Sequence, residues 1–388
     1  MRTIGSVICL ALSLVVSSQI TFEELEWNDA LKKAKSEKKL IFLEAYASWS
    51  EPCQLLEKYT FSDLEVANFY NENFLNLRLD MEEYPGIGLA EEYDVSIYPT
   101  MLFIDSNGNL QHRGCGAMEA GELLALGKEA LGANNWQSLR KRFDAGERES
   151  TFLLNYLALM EEGCLNAEGF AQKLLAETSK EDLASDSAFA LLEEYQWDIY
   201  SREFEFLKEN RELFENALGK ERVNNKIFNT YLAQYQEIYA SEELHLFAMR
   251  ALLDNLEEVT FTGSDTLLTM ANLHYSEIAE DWESFSESAI AWVGMSGLND
   301  EEELNELAWK FYLFVDNEEK LKLASTWARE AVDKTPSPSS IDTYASLLFK
   351  LGNSKKAIEL EKQAIVMAIE LQEDVAHYEH QLKTFQGN

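Results

Sequence analysis

Two patterns of apolar spacing divide the chain. Leu40–Tyr46, LIFLEAY, is a short and mostly unbroken apolar run of the kind that forms a buried strand. Phe74–Asp80, FLNLRLD, alternates with a period of two, as a half-buried strand does. TMLFID (Thr100–Asp105) predicts a third strand, and the Asn107-Gly108 turn folds it into a hairpin with LQHRGCG. Helical signals lie between these runs. Thr21-Phe22-Glu23-Glu24 has the form of a capping box, opening a helix that continues to about Lys38. Pro52 begins a second helix, Ser62-Asp63-Leu64-Glu65 caps a third, and a short piece covers Leu89–Tyr93. The last helix, Glu119–Leu131, stops at Gly132. The order α-β-α-α-β-α-β-β-α predicts an α/β domain over 19–132, a central mixed sheet flanked by helices.

After residue 132 the strand signals fade and apolar residues recur at helical spacing. No proline occurs between Asn134 and Thr335, which suits uninterrupted helices because proline removes a backbone donor. A repeat surfaces late in this region. Ala324 and Ala331 correspond to Ala357 and Ala364, a step of 33 residues in both cases (357 − 324 and 364 − 331). Small residues at such places let antiparallel helices pack closely, so 133–388 is expected to be all-helical, with hairpins resembling tetratricopeptide repeats at about 304–371. An irregular helical domain ending in one such pair is the alternative.

The first residues change where the protein is expected to work. MRTIGSVICLALSLVVSSQ has one early cation, an apolar run and then small residues, the pattern of a cleavable export signal ending near residue 18. The expected location is therefore periplasmic or extracellular, with no integral membrane segment after cleavage. The charge narrows the partners. With 33 basic against 69 acidic residues the net charge is −36, which repels polyphosphate and argues against nucleic acid.

Cys9 falls inside the export signal, leaving Cys53, Cys115 and Cys164. Three cysteines do not make a disulfide framework, so at least one thiol is free or pairs outside the chain. Cys164, in the helical half, is expected to be a packing residue.

Residues 19–132 resemble the thioredoxin superfamily, particularly secreted thioredoxin-like domains with a helix before the first strand. Several motifs carry the resemblance: Glu44 in FLEAYASW at the buried-acid position, Trp49 and Pro52 flanking the active-site turn, Tyr98-Pro99-Thr100 as the cis-proline signature, and Asn107-Gly108 and Gly116 beyond it. The resemblance implies catalysis by a cysteine at the first position of the turn, where the helix N-terminus favours the thiolate. That thiolate attacks a client disulfide, and the second cysteine resolves the mixed disulfide. Here Ser50 holds the attacking position and Cys53 the resolving one. A serine hydroxyl does not ionise usefully at neutral pH and forms no disulfide, so dithiol exchange is not expected. One rescue is a Cys53–Cys115 pair, since Cys115 falls in the loop that borders the active-site turn in the family. Glu44 would keep a raised pKa by burial. Asn76 stands where many relatives carry a lysine near the buried acid, which implies a site lacking that charge.

Three functions remain in view. The chain could be an exported thioredoxin-fold protein binding extracytoplasmic polypeptides, a thiol-disulfide oxidoreductase using Cys53 with Cys115, or a helical scaffold with a structural thioredoxin cap. A polypeptide client would meet Trp49, Pro52, Tyr98, Pro99 and Gly116, although Pro99 could equally serve only the entry to its strand. No cofactor motif of the HExxH, Walker, GxGxxG or GxSxG type occurs. His377 and His380 with Glu373 could share a helix face, but near a polar C-terminus they are expected to be solvated, and no metal is assigned to them.

Overall fold

The computed structural model describes residues 19–241, 246–297 and 300–387; the stretch expected to be an export signal, with Cys9, lies outside them. The chain forms two compact units, 1–196 and 197–388.

The first unit is built on α1 (Trp27–Glu37), β1 (Leu40–Tyr46), α2 (Glu51–Leu55), α3 (Leu64–Asn73), β2 (Phe74–Asp80), α4 (Gly86–Glu92), β3 (Thr100–Ile104), β4 (Leu110–Cys115) and α5 (Ala120–Leu131). A π-helical turn, Leu56–Thr60, extends α2. The sheet order is β2-β1-β3-β4, with β1 parallel to β2 and antiparallel to β3. This is the expected thioredoxin-like arrangement of a mixed sheet with helices on both faces. Alternation in the strands sorts two cores. Ile41, Leu43, Ala45, Leu75, Leu77, Leu102 and Ile104 pack on one face with Ala30 and Ala34 of α1. Phe42, Phe74 and Phe103 pack on the other with Phe61, Tyr70 and Leu123.

The capping-box expectation at Thr21 is corrected. The first helix begins at Trp27, after Glu26, and residues 21–26 carry no regular structure. Their polar groups are drawn to the sheet edge instead: Thr21 N donates to Asn71 Oδ1 and Glu23 N to the Asn76 carbonyl, both at 2.9 Å, while Phe22 packs on the Phe61 ring. The third helix takes Asp63 as its cap, its carboxylate accepting from Glu65 N and Val66 N.

Four further helices belong to the first unit: α6 (Trp136–Asp144), α7 (Ser150–Glu162), α8 (Ala167–Glu177) and α9 (Asp186–Tyr195). The first two are fastened to the outer strand β4, and α8 and α9 pack on α7. Trp136 N donates to buried His112 Nδ1 at 3.3 Å and its ring stacks on Tyr156. Arg113 of β4, itself buried, lies against Gly163, where a Cβ would come within 2.8 Å of Arg113 Cγ. A Cys115–Cys164 disulfide completes the attachment. Covering β4 removes an open sheet edge that would invite pairing with other chains.

The described part of the second unit contains α10 (Arg202–Glu209), α11 (Arg211–Leu218), α12 (Lys220–Ala240), α13 (Leu246–Glu257), α14 (Ser264–Ile278), α15 (Trp282–Ser296), α16 (Glu301–Phe314), α17 (Glu318–Lys334), α18 (Pro338–Lys350), α19 (Ser354–Glu370) and α20 (Ala376–Gln386). Ala324 and Ala331 lie on α17, and Ala357 and Ala364 on α19; all four are fully buried, as close helix packing requires. No helix among the described residues is long and apolar enough to cross a membrane.

Candidate functional site

The turn that carries Ser50 and Cys53 begins where β1 ends. Ser50 caps α2 by position, yet its hydroxyl makes no bond to the first-turn amides and instead donates to the Tyr98 carbonyl at 3.5 Å. Pro52 occupies the first turn, where its missing N–H costs nothing because those donors have no intrahelical partner. Cys53, one helical turn from Ser50, is only 1% exposed and is the free cysteine of the described residues. The Tyr98–Pro99 peptide is cis, Pro99 is buried, and its carbonyl accepts from Gly116 N at 2.8 Å. Gly116 has φ +84°, the left-handed region that glycine enters without a Cβ clash. Ser50, Cys53, Tyr98, Pro99 and Gly116 are thus gathered at one end of the sheet.

Trp49 and Tyr98 meet there edge to face, with ring centroids 6.2 Å apart. Trp49 is 68% exposed and its Nε1 donates to Glu82 Oε2 at 2.8 Å. The loop after β2 is held to the turn by Ser48 N donating to Asp80 Oδ2 and Met81 N to the Tyr46 carbonyl. Gly86 lets this loop close tightly, since a Cβ there would sit 2.0 Å from the Asp80 carbonyl oxygen. The Tyr98 phenol is pushed up, first by burial and then by the carboxylates of Glu82 and Asp80 and the Cys53 thiol.

Glu44 is fully buried on the aromatic face of the sheet. Burial raises its pKa from 4.5 to about 7, against the opposing pull of Arg78. Arg78 Nε stands 2.8 Å from Glu44 Oε2, off the line of a well-aligned hydrogen bond, and its other arm reaches Glu57 on the π-turn at 2.9 Å. Its guanidinium lies 4.3 Å from the centre of the Tyr46 ring. The inference drawn from Asn76 is therefore corrected. The cation beside the acid is present, supplied two residues along β2, because the parallel register sets Arg78 opposite Glu44 and Asn76 opposite Phe42. Asn76 instead donates from Nδ2 to Asn71 Oδ1 at 3.0 Å.

The Cys53–Cys115 pairing is overturned. Cys115 is bonded to Cys164, whose left-handed backbone at the end of α7 turns its sulfur toward the sheet edge. Cys164 is a cross-link and not a packing residue. The C-terminal histidines form no site with Glu373; His377 Nε2 lies 3.1 Å from Asp342 Oδ2, and no metal-binding group of three ligands occurs among the described residues. Sequence reasoning missed the cluster behind His377. Asp342 of α18 and Glu361 of α19 are both buried, and Glu361 is pushed up to about 9 by burial and by Asp342. The one available signal was the polar Asp342 within an otherwise apolar and small-residue helix face.

Comparisons with known proteins bear on the first third of the chain. A family model described as Thioredox_DsbH, "Protein of unknown function, DUF255", matches residues 16–97. The thiol:disulfide interchange protein DsbD of Colwellia psychrerythraea is 35% identical over 102 residues, covering 25% of this chain and 17% of that protein. DsbD of Escherichia coli is 35% identical over 98 residues, 24% of this chain and 17% of the relative. The N-terminal region is a thioredoxin-like domain of the DsbD and DsbH type. The chain spans less than a fifth of the length of these two relatives. Among solved structures, a candidate disulphide-isomerase from Bacteroides thetaiotaomicron is 42% identical, with 30% of this chain and 95% of that one covered and a TM-score of 0.28. A DsbH oxidoreductase is 20% identical over 32% of this chain and 94% of that one, with a TM-score of 0.27.

The Ser50 hydroxyl donates to a carbonyl, not to a base, so nothing draws off its proton. Among the described residues the free thiol, Cys53, is buried beneath the turn.

Proposed function

We propose that the protein is an exported thioredoxin-fold binder of extracytoplasmic polypeptides that does not perform dithiol exchange. One observation carries this reading: position 50 offers an unactivated hydroxyl, while Cys53 is buried and Cys115 is already bonded to Cys164. Exchange needs an accessible thiolate and a resolving partner within bridging distance. The Tyr98 main chain lies just outside the sheet ladder, which begins at Thr100, and adjoins the exposed Trp49. An extended polypeptide can pair with main chain at such a position and seat side chains beside the rings. The similarity to thiol:disulfide interchange proteins supports protein clients over small molecules.

The test is reduction of insulin disulfides by the mature chain against a thiol-only control, run beside binding of a reduced and alkylated unfolded protein. No turnover above the control together with reductant-insensitive binding is expected. Turnover that disappears in Cys53→Ala would overturn the proposal.

A further inference from the structure

Four segments surround the Trp49–Tyr98 pair: 46–54, 80–88, 95–100 and 114–118. They are tied together by the Ser48–Asp80, Trp49–Glu82, Ser50–Tyr98 and Gly116–Pro99 bonds. Within them stand Glu51, Asp80, Glu82 and Glu83, and no lysine, arginine or histidine. The strand cations that adjoin these segments are engaged elsewhere: Arg78 with Glu44, Glu57 and the Tyr46 ring, and buried Arg113 with the Tyr93 and Asp94 carbonyls. Large apolar side chains are interleaved with the carboxylates: Trp49, Tyr84, Ile87 and Ile97 are all exposed, Tyr84 at 94%.

Building on the polypeptide-binding reading, we propose that the groove at Trp49 and Tyr98 selects extended segments in which lysine or arginine alternates with apolar residues. Two independent features converge on that chemistry. The ring faces of Trp49 and Tyr98 attract a cation through their quadrupoles, and the flanking carboxylates supply a charge complement. Exposed apolar residues give the intervening side chains a surface to cover. An acidic segment meets like charge from the rim and finds no lysine, arginine or histidine within these four segments.

The experiment uses the full mature chain and three labelled peptides of one apolar framework whose alternate positions are all lysine, all serine or all glutamate. Fluorescence anisotropy should rank lysine over serine over glutamate, with roughly tenfold between the extremes at low salt and a smaller ratio at high salt. The combined variant Glu51→Gln, Glu82→Gln, Glu83→Gln should bring that ratio toward unity; the amide at 82 still offers an oxygen to Trp49 Nε1. Serine or glutamate peptides binding as tightly as lysine would overturn the charge selection while leaving polypeptide binding standing. Failure of all three peptides to bind, alongside failure of the unfolded protein, would remove both.

Discussion

Arg78 lies opposite Glu44 across the parallel β1–β2 ladder, its Nε 2.8 Å from a fully buried carboxyl oxygen. The pair bears on stability through the titration of its carboxyl. Glu44 has a folded pKa of about 7, above its ordinary 4.5. The folded state then holds the proton more tightly than the unfolded state, so the associated stability is complete below about pH 4.5 and is lost as pH rises through 7. Urea unfolding of Glu44→Gln should remove this slope, which amounts to at most about 3 kcal/mol across that window. Arg78→Met should move the Glu44 titration higher still, as followed by carboxyl NMR shifts, because the cation that favours the charged form is gone.

Restoring the missing sulfur tests the turn that carries Ser50 and Cys53. In Ser50→Cys the new thiol lies one helical turn from Cys53, a separation of about 5–6 Å between Cα atoms that a disulfide spans. On mild oxidation the variant should lose two titratable thiols, whereas the parent keeps its Cys53 thiol beside the closed Cys115–Cys164 bond. No change in thiol number would mean that Cys53 points away from position 50.

Removing the native cross-link should be costly. Cys115 and Cys164 enclose a separation of 49 residues. By the loop-entropy relation, Cys164→Ser should cost on the order of 4 kcal/mol in the first unit, read as a shift in the denaturant midpoint. Cys53→Ser, which breaks no bond, should cost far less by the same measurement.

In the second unit, the buried Asp342–Glu361 pair predicts a pH response of the same sign as Glu44 but with a wider window. Glu361 is raised from 4.5 to about 9, so its contribution is intact in acid and disappears as pH climbs toward 9. Glu361→Gln keeps a neutral donor beside Asp342 and should be more stable than the parent at pH 9, with little difference at pH 5. Thermal unfolding at the two pH values decides it.

The positions of the strands were legible because period-two alternation and short apolar runs act locally; β1 and β2 fall where the pattern put them. Glu44, Ser50, Cys53 and Pro99 were singled out by the resemblance to thioredoxin motifs, not by spacing alone. Arg78 was not, since which residue faces Glu44 depends on the register between two strands separated in sequence. The Cys115–Cys164 bond was hidden for the same reason: it joins a sheet edge to a helix end, and cysteine connectivity does not follow from spacing. Thr21 misled because a capping signature loses to hydrogen bonds offered by Asn71 and the edge of β2. Glu361 resembles a solvated acid on an amphipathic helix, and only the packing of α18 against α19 brings it to Asp342.

The bond between Cys115 and Cys164 also governs what a protease would leave behind. A cut in the exposed turn at 144–149 lies inside the loop that this bond closes. Both pieces would stay on one molecule, indistinguishable by size from the intact chain until a reductant was added. Nicked protein would thus persist as a two-chain species held by one bond.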